Sequence, residues 1–257
     1  MSDDKQKANT LNPILDVQQL SVFEHQRQLL HNLSLQVVPG AFHCIIGESG
    51  SGKSLFTRTI LGMRRSNLTY QGTVNFDLTK TDAVFQDVQS NMFQNVTLEK
   101  HFQYLHEVSN SDLTWTEQRD EIIAMMERLG LAQGKQLLKR YPFELSGGMA
   151  QRIAFIMSLI RRPDYLILDE PTSALDADNN HKFMDYLNEV MRKNQMTIIF
   201  VTHDLNLVKA YATHISIMKD GNIIETGEAT RILEHPRHAY TEKLISIASR
   251  RIRHASS

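Results

Sequence analysis

Short apolar runs that end in turn-forming residues alternate along this chain with longer stretches whose apolar residues recur every three or four positions. Phe42–Ile46 is a run of the first kind and stops at Gly47, which predicts a buried strand entering a loop. After Ser54, the spacing of Leu55, Phe56, Ile60 and Leu61 predicts a helix. Residues 165–168 and 197–201 predict two more buried strands. Between them, 180–193 carries Phe183, Tyr186, Leu187, Val190 and Met191 at helical spacing. A strand, a crossover helix and a second strand form the unit of a parallel α/β sheet. From about residue 88 to 160 the pattern changes. Ile122, Met125, Met126 and Leu129, then Ile153, Ile156, Met157 and Ile160, fall at helical intervals and predict a helical insertion. Apolar residues on both sides of Asp220-Gly221 predict a hairpin. A last helix is predicted from about 240 to 249, followed by a frayed basic tail, 250–257. No segment repeats at a period of 20–50 residues, so a tandem array is excluded.

Composition narrows the class. The chain has 257 residues, 41% hydrophobic and 22% charged, a balance that excludes bulk disorder and predicts a real core. Lys+Arg 28 against Asp+Glu 29 leaves a formal net charge of -1, so no chain-wide field draws it to nucleic acid or an anionic membrane. A single cysteine, Cys44, excludes an intrachain disulfide and a cysteine-rich metal site; it fits a reducing compartment and a small buried side chain. The polar start, residues 1–10, lacks the apolar centre of a secretory signal. Apolar runs fall far short of the roughly 20 residues a membrane-crossing helix needs, so any membrane role is expected through a partner. The ten histidines other than His203, including His235 and His238, show no metal-ligand spacing and are read as surface residues.

Two motifs carry chemistry. Gly47-Glu48-Ser49-Gly50-Ser51-Gly52-Lys53-Ser54 matches the phosphate loop G-x-x-x-x-G-K-[ST], after a predicted strand and before a predicted helix. Glycines let successive N–H groups turn toward phosphate oxygens, the helix N-terminus adds partial positive charge, Lys53 reaches the β/γ-phosphates and Ser54 can ligate Mg²⁺. Asp169 and Glu170 stand at the C-terminal end of a predicted strand, the edge at which open parallel sheets bind ligands. There Asp169 suits Mg²⁺ and Glu170 suits the polarisation of a water for attack on a γ-phosphate.

Leu145-Ser146-Gly147-Gly148-Met149-Ala150-Gln151-Arg152 changes the question from which nucleotide to which machine. With this string the sequence resembles the ATP-binding cassette ATPases, whose signature is LSGGQ followed by a helix; Met149 stands in place of the usual Gln. Other positions fit the family in order. Gln86 matches the Q-loop glutamine that contacts Mg²⁺ and the attacking water, and Asp176, in Ser173-Ala174-Leu175-Asp176, matches the D-loop. His203 matches the switch histidine that contacts the γ-phosphate. Phe23 falls where the family often carries an aromatic that stacks on adenine.

The resemblance covers about residues 14–250. It implies an α/β fold: a RecA-like P-loop nucleotide-binding core, an inserted α-helical signature subdomain, and an N-terminal antiparallel β portion. The core would comprise 1–87 and 161–257, the signature subdomain 88–160. ATP and Mg²⁺ would bind between the phosphate loop of one subunit and Ser146, Gly147, Gly148 and Met149 of a second cassette, identical or homologous. The resemblance further implies docking on separate membrane permease subunits through a groove lined by about 87–99, at the cytoplasmic face of the membrane. An extracytoplasmic solute-binding protein would be an indirect partner, and no nucleic acid is expected.

Tyr141-Pro142-Phe143-Glu144 before the signature, and Pro236-Arg237-His238-Ala239-Tyr240-Thr241, are similar to strings of the peptide/nickel importer group. Ala239 departs from the group's second proline. The chain stops soon afterwards without a cysteine-bearing extension, which favours nickel or metal-chelate importers within that group. Two other readings stay open: a soluble cassette ATPase acting on nucleic acid or a cytosolic complex, and a phosphoryl-transfer kinase. The near-neutral charge argues against the first, and a kinase has no need of the signature string.

Overall fold

The computed structural model describes residues 12–109 and 111–255, with side chains described to residue 247. The polar stretch 1–10 lies outside the described residues. The chain opens with two long antiparallel strands, β1 (Leu15–Glu24) and β2 (Arg27–Val37). It then runs through β3 (Phe42–Ile46) into helix α1 (Lys53–Ile60) and returns in β4 (Leu68–Phe76), which pairs antiparallel with the other edge of β1. Next comes β5 (Thr81–Val84), followed by a helical stretch: α2 (Leu98–Val108), α3 (Trp115–Arg128), α4 (Gly134–Leu137) and α5 (Gly147–Ile160). The remainder alternates again: β6 (Tyr165–Asp169), α6 (Ala177–Asn194), β7 (Thr197–Thr202), α7 (Leu205–Tyr211), β8 (His214–Lys219), β9 (Asn222–Glu228), α8 (Ala229–Glu234) and α9 (Ala239–Ala255).

Two sheets result. The small one has the order β2-β1-β4; the large one has the order β5-β6-β7-β3-β8-β9, parallel except for the β8–β9 hairpin. Strand β3 is central and buried on both faces. Phe42, Cys44 and Ile46 face the core shared with the helices, whereas Ala41 and Ile45 join Phe56 and Ile60 of α1 and the apolar face of the small sheet. A strand covered on both sides reads as a continuous apolar run, and this is why β3, β6 and β7 were visible in the sequence.

The Asp220-Gly221 hairpin is present, with both turn residues at positive φ, as a two-residue turn matched to strand twist requires. Helix α6 starts three residues earlier than its apolar pattern, because the Asp176 side chain caps it by accepting the Asn179 N–H at 2.9 Å. Helix α9 continues past residue 249 to Ala255, so the backbone there is helical where a frayed tail was expected. The reading of the histidines needs correction. His43 and His101 are buried at 2% and 8% exposure. His43 lies in the doubly covered β3, its Nε2 2.8 Å from Ser216 Oγ; His101 accepts the Phe93 N–H at 3.0 Å and fixes the loop before α2. Among the described residues no helix is long and apolar enough to cross a membrane, and no cluster of three potential metal ligands occurs.

Candidate functional site: the phosphate loop and its surroundings

Strand β3 delivers the chain into the loop 47–52, and α1 begins at Lys53. Gly52 caps that helix at φ 101, a conformation strained for any L side chain; a Cβ there would also lie 2.8 Å from Leu30 Cδ2. The Lys53 side chain folds back over the loop, donating to Gly47 O at 2.8 Å and Glu48 O at 3.0 Å. Burial lowers the Lys53 pKa from its ordinary value, while Glu170 and Asp169 pull it the other way. A cation held on loop carbonyls beside free amides makes an anion cradle. The hairpin tip closes it from outside: Gly221 N–H donates to Ser51 O at 3.0 Å, and His31 N–H donates to Gly221 O at 2.9 Å.

The two carboxylates stand beside this cradle on β6. Asp169 is buried at 3% exposure, bonds the Ser54 hydroxyl, and has Oδ1 buried with no partner. Burial raises its pKa, which the Ser54 bond and Lys53 offset in part. A buried carboxylate oxygen without a donor, next to a hydroxyl, fits a hard cation that takes oxygen ligands. Glu170 is partly buried and has φ 53, an uncommon conformation for a residue with a side chain. Its N–H is nonetheless satisfied by Val201 O at 2.9 Å, and its Oε2 lies 2.8 Å from His203 Nδ1. Gln86, exposed just beyond β5, lines the same space.

Lys53, Ser54, Gln86 and Glu170 share a cavity of about 560 Å³ with Arg27, Leu29 and His31 of β2. A second cavity, about 740 Å³, joins Gly47–Ser49, Gln86, Glu170 and His203 to Leu244 and Ile247 of α9. Phe23 lies on β1 between Gln28 and Thr69, partly buried, and does not line either cavity. The contributions of β2 and α9 had no signal in the sequence beyond ordinary strand and helix patterns.

Ser146, Gly147, Gly148 and Met149 line neither of these cavities. Ser146 caps α5, its hydroxyl accepting the Met149 N–H at 3.3 Å. A Cβ on Gly148 would lie 2.7 Å from Ala174 O, so glycine lets the signature turn rest directly on the 173–176 loop. Gln151 and Arg152 lock that contact. Gln151 Nε2 donates to Ser173 Oγ at 3.1 Å and its Oε1 accepts Ala174 N–H at 3.3 Å; Arg152 donates to Gly148 O, Leu129 O and Asn179 Oδ1. Hydrogen bonds thus tie the motif to the loop that follows Glu170, three residues upstream of Ser173.

The family model described as ABC transporter matches residues 30–173, more than half of the chain. The chain belongs to the ABC transporter family. It is 32% identical, over 93% of its length, to the peptidoglycan transport ATP-binding protein YejF of Agrobacterium fabrum. To the oligopeptide transport ATP-binding protein AmiE of Streptococcus pneumoniae it is 34% identical over 84% of its length. It spans 48% of YejF and 66% of AmiE, about half to two thirds of these relatives. The metal-staphylopine import system ATP-binding protein CntD of Staphylococcus aureus is 30% identical over 91% of this chain and 92% of its own length. In fold, the chain matches a dimeric ATP-binding cassette in a post-hydrolysis state bound to ADP and Pi, with a TM-score of 0.72, 24% identity and coverage of 84% of this chain and 98% of that one. The ABC fold, an α/β P-loop core with helical and antiparallel additions, is therefore that of this chain.

Proposed function

We propose that this ABC chain is the ATP-hydrolysing subunit of an importer for oligopeptides or metal chelates. The observation that carries the reading is the Glu170 carboxylate, 2.8 Å from His203 and sharing one cavity with Lys53 and Gln86. Loop amides and Lys53 bind the phosphates, and Glu170 accepts a proton from the attacking water. His203 holds that carboxylate in place, and Gln86 orients the water. Ser54, Asp169 and Gln86 would hold Mg²⁺, which when bound neutralises phosphate charge. Phe23 is assigned to the adenine on the family resemblance, and Ser146–Met149 with Asp176 to the nucleotide of a second cassette; that these last line neither loop cavity of this chain supports an arrangement in which two chains complete each site.

The division into a core, 1–87 and 161–257, and a helical part, 88–160, belongs to the same proposal. Between them an apolar cavity of about 400 Å³ carries Phe93, Tyr104 and Val108, exposed at 68%, 45% and 74%. Exposed apolar side chains grouped this way suit a protein partner, here a permease subunit at the cytoplasmic face of the membrane. The names of AmiE and CntD support the solute class. The test is Glu170→Gln. Turnover should fall by at least about 100-fold while nucleotide binding persists; undiminished hydrolysis would remove Glu170 from the role of base.

A further inference from the structure

We propose that Tyr240 is a positioning residue for the phosphate loop, and that the segment 236–241 exists in this fold to hold it there. The inference rests on the nucleotide-binding reading above. Glu225 of β9, 8% exposed, grips both ends of the segment: Oε1 accepts the Arg237 N–H at 3.0 Å, and Oε2 accepts the hydroxyl of fully buried Thr241 at 2.7 Å. Between these bonds, His238 Nδ1 accepts the Tyr240 N–H at 3.1 Å and His238 O accepts the Glu242 N–H at 3.1 Å, which closes the first turn of α9. The segment has little freedom left, and it aims one side chain. The Tyr240 ring, 8% exposed, lies beneath the Lys219 ammonium at 5.0 Å, and its hydroxyl accepts the Glu48 N–H at 3.3 Å.

Glu48 follows the first glycine of the loop, and its carbonyl already receives Lys53 and the Ser51 N–H. Tyr240 therefore secures the N–H of a residue whose carbonyl is engaged by the loop itself. Loss of that acceptor leaves the loop entrance less constrained before phosphate arrives, and the ordering is then paid at binding. Leu244 and Ile247, on the same helix, line the cavity that contains Glu48, Glu170 and His203. The C-terminal helix is thus a wall of the site built by an anchor 15 residues upstream of Tyr240.

The experiment measures binding of a fluorescent ATP analogue and steady-state ATP hydrolysis on the full chain, unaltered and as Tyr240→Phe, Thr241→Val, Thr241→Ser and Lys53→Ala. Tyr240→Phe keeps the ring and removes only the hydroxyl that accepts the Glu48 N–H; Kd and KM should rise about three- to tenfold, the effect of one hydrogen bond, with kcat within twofold. Thr241→Val should shift Kd in the same direction, and Thr241→Ser should restore it. An unchanged Kd in Tyr240→Phe, with binding abolished in Lys53→Ala, overturns the proposal and leaves the nucleotide site standing. A fall in kcat without a change in KM also overturns it. No binding by the unaltered chain overturns both.

Discussion

Asp169 and Glu170 are neighbours in sequence and opposites in environment. The first is buried, raised in pKa and short of one donor; the second emerges at φ 53 to meet a histidine. A strand end makes the difference: β6 stops at Asp169, so the next side chain swings out of the sheet. The pairing of Asp with Glu was legible from the apolar run before it, but their division of labour required the backbone. His43 shows the opposite case, a residue whose burial no local pattern announced. Burial, with His214 nearby, lowers its pKa from 6.5 to about 3. Below 6.5 the unfolded chain binds a proton that the folded chain refuses, so stability falls with pH down to about 3 and is unaffected by this site above 6.5. Urea denaturation at pH 7.5 and pH 5.0 should therefore show a loss from His43 approaching about 2 kcal/mol. His43→Gln should lose less across the same interval; equal losses in the two proteins would contradict the buried neutral imidazole.

At the scale of elements, α5 and the 173–176 loop form a single unit held by Gln151 and Arg152. The sequence displayed their motifs separately; nothing in either string announces the contact, because it is made by Gly148 lying against the Ala174 carbonyl and Gly147 against the Ala174 methyl. Gly148→Ala tests its tightness. Alanine favours a helix by up to about 1 kcal/mol, but here its Cβ would press on Ala174 O at 2.7 Å, a backbone atom that cannot turn aside. Overpacking costs about 1–3 kcal/mol, so the clash should win and the substitution should lower chemical-denaturation stability by about 1–2 kcal/mol. Strands differ in legibility for a related reason. β3, β6 and β7 are covered on both faces and read as apolar runs, whereas β4 has only half-buried and exposed residues, and pairs along β1 through backbone bonds that any polar sequence can make. Helices α3 and α5 were visible from their spacing, and the Thr114–Glu117 capping box fixes where α3 starts.

At the scale of the molecule, the two cavities beside the phosphate loop and the apolar groove share Phe85-Gln86 as a border: Gln86 faces the former and Phe85 lines the latter. Val108→Asp places a charge in the groove away from the phosphate loop. It should abolish co-purification with permease subunits from detergent extracts while nucleotide affinity stays within about twofold; retained co-purification would place the permease elsewhere. The strand order has a further consequence. Strand β3, which launches the phosphate loop, pairs only with β7 and β8, and β7 begins at Thr197. During synthesis its apolar residues wait without a strand partner until β7 has left the ribosome. The phosphate loop is thus translated early and assembled late, its launching strand completed only when β7 and β8 have been made.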